Sequence, residues 1–151
     1  MKVIAYSIKP FEKESLAIAN HKKHEITLIS NALGIETAAF AGGKDAAIVM
    51  QDDNVSAPVI EILAGLGVKY IVTRSLDTSH IDKNAAARFG IKLSNIPLLS
   101  TQQAEPTIDD LQHIANQTIR NLDLWQLNKC VGKACICAEG CKTVAMHEEA
   151  K

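Results

Sequence analysis

The sequence predicts an α/β domain: a flavodoxin-like, doubly wound parallel sheet of five strands, then a long helix and a cysteine-rich tail. Short apolar runs alternate regularly with segments whose apolar residues recur at helical spacing. Glycines stand where helices should end before the next strand, at Gly42-Gly43, Gly67 and Gly90. Because crossovers between parallel strands are almost always right-handed, this alternation implies a parallel sheet covered on both faces.

The candidate elements follow one another along residues 1–127, which we interpret as one domain. The predicted strands are residues 2–7, 25–30, 45–50, 69–73 and 91–95, and the predicted helical segments between them are 12–21, 36–41, 56–66 and 82–89. Thr107 then begins a longer helix as N-cap, and Asp110 completes a capping box. The apolar stripe of that helix, which we expect to be buried by self-association or by the tail, is Ile108, Leu111, Ala115, Ile119, Leu122 and Trp125.

Composition limits the class of protein. A net charge of −1 gives no reason to expect nucleic acid or an anionic membrane as partner, and 4% aromatic residues offer few stacking platforms for bases. The opening apolar run is too short for a signal peptide, so we expect a cytoplasmic protein. In that reducing compartment, cysteines bind metal or do chemistry more often than they form permanent disulfides.

The carboxyl ends of the strands are where an open parallel sheet binds its ligands. The polar side chains that could converge there are Asp52, Asp53, Arg74, Ser75, Asp77 and His80. An alternative interpretation assigns Asp53, Asn54 and Ser56 to the cap of the following helix, and Ser79 and Asp82 to the cap of the next one. The glycine fingerprint of dinucleotide-binding folds occurs nowhere in the sequence, so we do not expect this chain alone to bind NAD.

The segments that form this edge also carry a resemblance, at residues 2–7 (KVIAYS), 52–56 (DDNVS), 68–75 (VKYIVTRS) and 90–97 (GIKLSNIP). Together they resemble the substrate domain of D-lactate dehydrogenases, within the D-2-hydroxyacid dehydrogenase family. The resemblance implies that Arg74, Ser75, Leu76 and Asp77 form the equivalent of the substrate loop. It also implies that the helix of residues 107–126 corresponds to the family's long helix crossing into the cofactor domain.

The departures from the family matter as much. Asp77 stands where the family has a glycine whose N–H helps to hold the substrate carboxylate, and Leu99 replaces the family's tyrosine. The family's catalytic arginine, glutamate and histidine, and its nicotinamide-binding domain, correspond to positions beyond residue 151. We therefore expect a stand-alone relative of the substrate domain, non-catalytic alone, that binds a partner or metal. The alternative is a component of an NAD-dependent D-2-hydroxyacid oxidoreductase completed by a separate cofactor domain. In either case helix 107–126 is the expected surface for a homodimer or for a cofactor-domain protein.

All four cysteines lie in the segment 128–151, which the sequence predicts to be an irregular tail. Cys130, Cys135, Cys137 and Cys141 could together hold a tetrahedral Zn²⁺ or an iron–sulfur cluster, with His147 as a substitute ligand. Their spacing is not the paired C-x-x-C of a zinc ribbon. A frayed or disulfide-scrambled terminus is the alternative.

Overall fold

The computed structural model describes residues 1–97 and 107–137. Five parallel strands form one sheet in the order β2-β1-β3-β4-β5, the flavodoxin-like order, so the predicted fold class is confirmed. The strands are β1 (Lys2–Ala5), β2 (Glu25–Leu28), β3 (Ala46–Val49), β4 (Tyr70–Thr73) and β5 (Lys92–Ser94). Each is one to four residues shorter than the sequence predicts, because the apolar pattern continues into the loops after pairing ends.

The helices cover both faces of this sheet. They are α1 (Lys13–Asn20), α2 (Ala57–Gly65), α3 (Lys83–Arg88) and α4 (Ile108–Gln126), with short 3₁₀ helices at Pro10–Glu12, Thr37–Ala41 and Gly132–Ala134. Thus the segment predicted at 36–41 is helical but is a 3₁₀ turn. One core cluster lies under α2 and α3, and a second lies under α1 and α4. Within the described residues no helix combines the length and apolarity needed to span a bilayer.

Capping agrees with the sequence at two helices. The Asp82 carboxylate accepts the N–H of Ala85 at 2.9 Å, and Thr107 exchanges two hydrogen bonds with Asp110 in the predicted capping box. Ser56 occupies the N-cap of α2 without a side-chain hydrogen bond. Asp53 does not cap α2, contrary to one of the two interpretations above, because its carboxylate is turned into the loops described below.

The apolar stripe of α4 is covered by the chain itself. Ala115, Ile119, Leu122 and Trp125 are buried among α1, the sheet and residues of the following segment, and the Trp125 ring stacks on Tyr70 with centroids 4.9 Å apart. The stripe's burial therefore does not require self-association. Ile108, at the start of the helix, remains 81% exposed.

The segment predicted to be an irregular tail begins with ten packed residues. Val131 and Ala134 are buried in the second core cluster. The N–H of Asn95 donates to Ala134 O at 3.0 Å, and the N–H of Ile136 donates to Leu93 O at 3.2 Å. These bonds flank an antiparallel bridge between Ser94 and Cys135, so the segment satisfies the edge of β5. The prediction failed here because two small anchors are too sparse to produce a periodic pattern. Cys141 lies outside the described residues.

Candidate functional site

The centre of the carboxyl edge is a buried cation. Arg74 follows β4 and is 3% exposed. Its Nε bonds Glu12 Oε2 at 3.2 Å, and its terminal nitrogens donate to the carbonyls of Tyr6 and Ser7 at 3.1 and 3.2 Å. Burial lowers the pKa of Arg74, and the neighbouring carboxylates of Glu12 and Asp53 oppose that shift. The guanidinium therefore ties the end of β4 to the end of β1, and faces inward.

Ser7 and Asp53 join three loops beside Arg74. Ser7 has a positive φ of 58°, a left-handed conformation uncommon for serine. Its hydroxyl donates to Asp53 Oδ1 at 2.5 Å, while the same carboxylate accepts the N–H groups of Leu33 and Met50 at 3.1 and 2.8 Å. Asp53 is 2% exposed. Its three donors replace the hydration that a buried carboxylate loses, so it organises the edge.

The loop after Arg74 is held by a hydroxyl network. The hydroxyl of Thr73 lies 2.6 Å from Ser75 Oγ and 3.2 Å from His80 Nε2, and Ser75 donates to the carbonyl of Asp77 at 2.9 Å. Burial lowers the pKa of His80, and Asp77 and Asp53 act in the opposite direction. Thr73 and Ser75 are 0% and 2% exposed, so this Ser–His pair has no access for a substrate to attack.

Asp77 carries the exposed charge of the loop. Its carboxylate accepts the Ser79 hydroxyl at 2.8 Å, and that hydrogen bond is the main reason that the pKa of Asp77 lies below its usual value. The charges of His80 and Lys83 act in the same direction, and Lys83 itself donates to the carbonyl of Thr78 at 3.2 Å. Asp77 is therefore ionised at neutral pH.

Two buried asparagines fix the other side of the loop. Asn95 donates from Nδ2 to the carbonyl of Leu76 at 3.0 Å, and Asn121 of α4 donates to the carbonyl of Asn95 at 3.2 Å and to Ser94 Oγ at 3.0 Å. The N–H of Ile96 also bonds the carbonyl of Ser75. Sequence reasoning missed both asparagines. The available signal was a polar residue, Asn121, beside the apolar stripe of α4.

The structure thus brings together Asp53, Arg74, Ser75 and His80 from the predicted set, and leaves Asp52 exposed. A cavity beside Arg74, lined also by Ile8, Glu12 and Leu111, has a volume of about 20 Å³. That volume holds about one water molecule. The loop of residues 74–77 is therefore a preformed backbone turn whose buried cation is already paired.

The cysteines occupy the β5 edge. The sulfur of Cys137 accepts the N–H of Leu93 at 3.4 Å, and Cys130 accepts the N–H of Gly132 at 3.4 Å. In ranges 1–97 and 107–137 no three His, Cys, Asp or Glu side chains are gathered as metal ligands. The fourth predicted ligand lies outside these ranges, so the predicted four-cysteine centre stays a prediction.

Comparison with protein families gives one match across nearly the whole chain. The model described as D-isomer specific 2-hydroxyacid dehydrogenase, catalytic domain, matches residues 3–145. The chain is 33% identical over 121 residues to a D-lactate dehydrogenase of Leuconostoc mesenteroides, covering 78% of this chain and 37% of that protein. It is also 33% identical over 101 residues to an aromatic 2-oxoacid reductase of Clostridium sporogenes, covering 66% and 30% of the two chains.

Solved structures agree with these sequence matches. The apo-structure of D-lactate dehydrogenase from Escherichia coli superposes with a TM-score of 0.65 at 33% identity, over 66% of this chain and 32% of that one. A Salmonella D-lactate dehydrogenase gives a TM-score of 0.64 at 33% identity, over 66% and 31%. This chain thus spans about a third of the length of the proteins that it matches.

Proposed function

This chain belongs to the family of D-isomer specific 2-hydroxyacid dehydrogenases, and from that premise we propose that it is a stand-alone relative of their substrate domain, non-catalytic alone. We also propose that it acts by binding a partner, in the cytoplasm. Activities of the matched enzymes depend on about two thirds of a chain that has no counterpart here.

The charge of the loop after β4 carries this proposal. A 2-oxoacid is an anion, and the exposed side chain at the loop is the ionised carboxylate of Asp77. Two like charges at about 4 Å repel by about 1 kcal/mol in water, and by about 4 kcal/mol near a protein surface. Arg74 cannot compensate, because its guanidinium is already paired with Glu12 and two carbonyls.

Pyruvate binding tests the role of Asp77 directly. We expect amide chemical shifts of residues 74–80 to stay unchanged when pyruvate is added to the wild-type chain. Asp77→Asn should permit weak, saturable shifts in the same amides, since it removes the opposing charge. The matched control is Asp52→Asn, an exposed carboxylate of the neighbouring loop that should leave the wild-type result unchanged. Wild-type binding at least as tight as that of Asp77→Asn would contradict the proposal.

A second candidate function is that of one component of an NAD-dependent D-2-hydroxyacid oxidoreductase, completed by a cofactor domain on another chain. Two exposed apolar side chains at the carboxyl edge favour it: Ile108 is 81% exposed and Phe11 is 54% exposed. Co-purification from native extract should then yield a nucleotide-binding protein, and the complex should reduce a 2-oxoacid with NADH. A complex without nucleotide binding or activity would contradict this candidate.

Metal binding by Cys130, Cys135, Cys137 and Cys141 is a further proposal, supported by their clustering in the sequence. Binding should be pH-dependent, because thiols lose protons when they ligate metal. Anaerobically purified protein should contain one zinc ion or one cluster per chain. Cys135→Ser with Cys137→Ser should lose it while α4 stays folded. Substoichiometric metal in the wild-type protein, with all four thiols titrating rapidly, would contradict it.

A further inference from the structure

The net charge of −1 conceals a separation of charge between the two ends of the sheet. The strands begin at the amino edge, and α1, α3 and α4 end there; α4 runs parallel to α1, since Gln112 contacts Ser15 and Asp123 contacts His24. This edge exposes Lys2, Lys22, Lys23, Lys69, Arg88, Lys92 and Lys129. Its carboxylates are fewer, namely Glu25, Asp45 and Asp123, and Asp123 is paired with Lys23 at 2.8 Å.

The carboxyl edge has the opposite charge. The strands end there, and α1 and α4 begin there, so this edge exposes Glu14, Glu36, Asp52, Asp77 and Asp109. Its cations are Lys9, Lys13 and Lys83, and Lys83 bonds the carbonyl of Thr78. Arg74 does not contribute exposed charge, because it is 3% exposed. The two edges are therefore complementary in sign.

Apolar side chains accompany both charged edges. At the amino edge Phe40, Phe89 and Leu127 are 52%, 40% and 63% exposed. At the carboxyl edge Phe11, Ile35 and Ile108 are 54%, 56% and 81% exposed. The other large hydrophobic side chains exposed in the described residues are Ile18 and Leu28, on α1 and β2. Exposed apolar groups rimmed by charge are typical of protein interaction surfaces.

We propose that the chain associates with a second copy of itself head to tail, with the basic amino edge of one copy against the acidic carboxyl edge of the next. Charge complementarity between two surfaces of the same chain identifies the partner, and the apolar side chains on both edges supply area to bury. Such an interface is heterologous, so each added copy leaves one edge of either kind unoccupied. Association is therefore expected to continue beyond the dimer. This inference is independent of the catalytic proposal above.

The geometry places lysines where they can act together. Lys2 and Lys92 begin β1 and β5, and Lys69 directly precedes β4, so the three are distributed across an edge with strands about 4.8 Å apart. Their side chains make no hydrogen bond or ion pair within the described part of the chain. The same holds for Glu36 and Asp109 at the opposite edge. Exposed ion pairs are individually weak, and three together change an affinity by roughly tenfold.

Two neutralised variants test the polarity of this contact. The first, Lys2→Gln with Lys69→Gln and Lys92→Gln, keeps only the acidic edge. The second, Glu36→Gln with Asp52→Asn and Asp109→Asn, keeps only the basic edge. The matched control is Glu61→Gln with Arg120→Gln, which removes exposed charges from the flanks on α2 and α4.

Sedimentation velocity over a concentration series should show wild-type mass increasing beyond the dimer at about 0.01 M salt, and a monomer at about 1 M, where the Debye length falls roughly tenfold. Each edge variant should associate at least about tenfold more weakly, and the control should match wild type. An equimolar mixture of the two edge variants should form a species of twice the chain mass and nothing larger. Wild-type protein that stays monomeric at low salt would overturn the proposal, even if its lysine edge bound phosphatidylserine vesicles. Edge variants that associate as wild type does would also overturn it.

Discussion

The inward-facing role of Arg74 makes a quantitative prediction for Arg74→Met. Methionine keeps much of the apolar stem but leaves the Glu12 carboxylate, whose side chain is 11% exposed, without its cation. It also removes donors from the carbonyls of Tyr6 and Ser7. Removing one partner of a buried ion pair costs about 3–5 kcal/mol of unfolding free energy. With a urea dependence of about 2 kcal/mol per molar, the unfolding midpoint should fall by about 2 M.

Urea denaturation followed by Trp125 fluorescence measures this loss, because Trp125 is buried against Tyr70. Arg120→Met, at an exposed position of α4, is the control and should stay within about 0.5 kcal/mol of wild type. Adding Glu12→Gln to Arg74→Met should recover part of the loss, since it removes the unpaired charge. A loss below about 1 kcal/mol for Arg74→Met would refute the reasoning, and would leave the guanidinium available for a ligand.

Three further changes test other parts of the structure. Val131→Ala should lower the free energy of unfolding by about 1.5–3 kcal/mol, because the side chain packs in the second core cluster; urea titration measures it, and a loss below about 0.5 kcal/mol would mean that the segment is not packed. Thr107→Ala should cost about 1 kcal/mol in thermal unfolding by removing the N-cap of α4, and an unchanged midpoint would contradict that cap. His80→Gln should reduce the loss of stability as pH falls below about 6.5, measured by urea titration at several pH values, whereas exposed His21→Gln should not.

The sign of the His80 effect follows from its pKa. Burial lowers the pKa in the folded chain below the unfolded value of about 6.5, so the folded state favours the neutral ring. That contribution to stability is present above pH 6.5 and is lost as pH falls through the folded pKa. Equal pH profiles for wild type and His80→Gln would show that the ring is solvated in both states.

The sequence predicted the fold because strand–helix alternation is a strong and repeated signal. The order of five strands, the caps at Asp82 and Thr107, and the family resemblance all followed from local patterns. Asp53 was harder to interpret. A carboxylate after a strand suits an N-cap equally well, and only the folded chain places Ser7, 46 residues away, beside it.

The functional edge could be located from the sequence, but the direction of its side chains could not. Arg74 precedes the candidate loop and suggests an anion ligand, yet its contact with Glu12 spans 62 residues and points into the protein. Asn95 and Asn121 became part of the edge through a contact across 26 residues. Packing of Val131 and Ala134 also depends on long-range contacts. Such contacts have no periodicity for sequence reasoning to detect.

The most direct test of the central claim is NADH oxidation by the purified full chain with pyruvate or phenylpyruvate. We predict a rate equal to the buffer blank, because the loop at Asp77 opposes an anionic substrate and the chain carries no dinucleotide fingerprint. A full-length D-lactate dehydrogenase in the same assay provides the positive control. A rate well above the blank that co-elutes with the chain and falls when Asp77 or Arg74 is substituted would contradict the account.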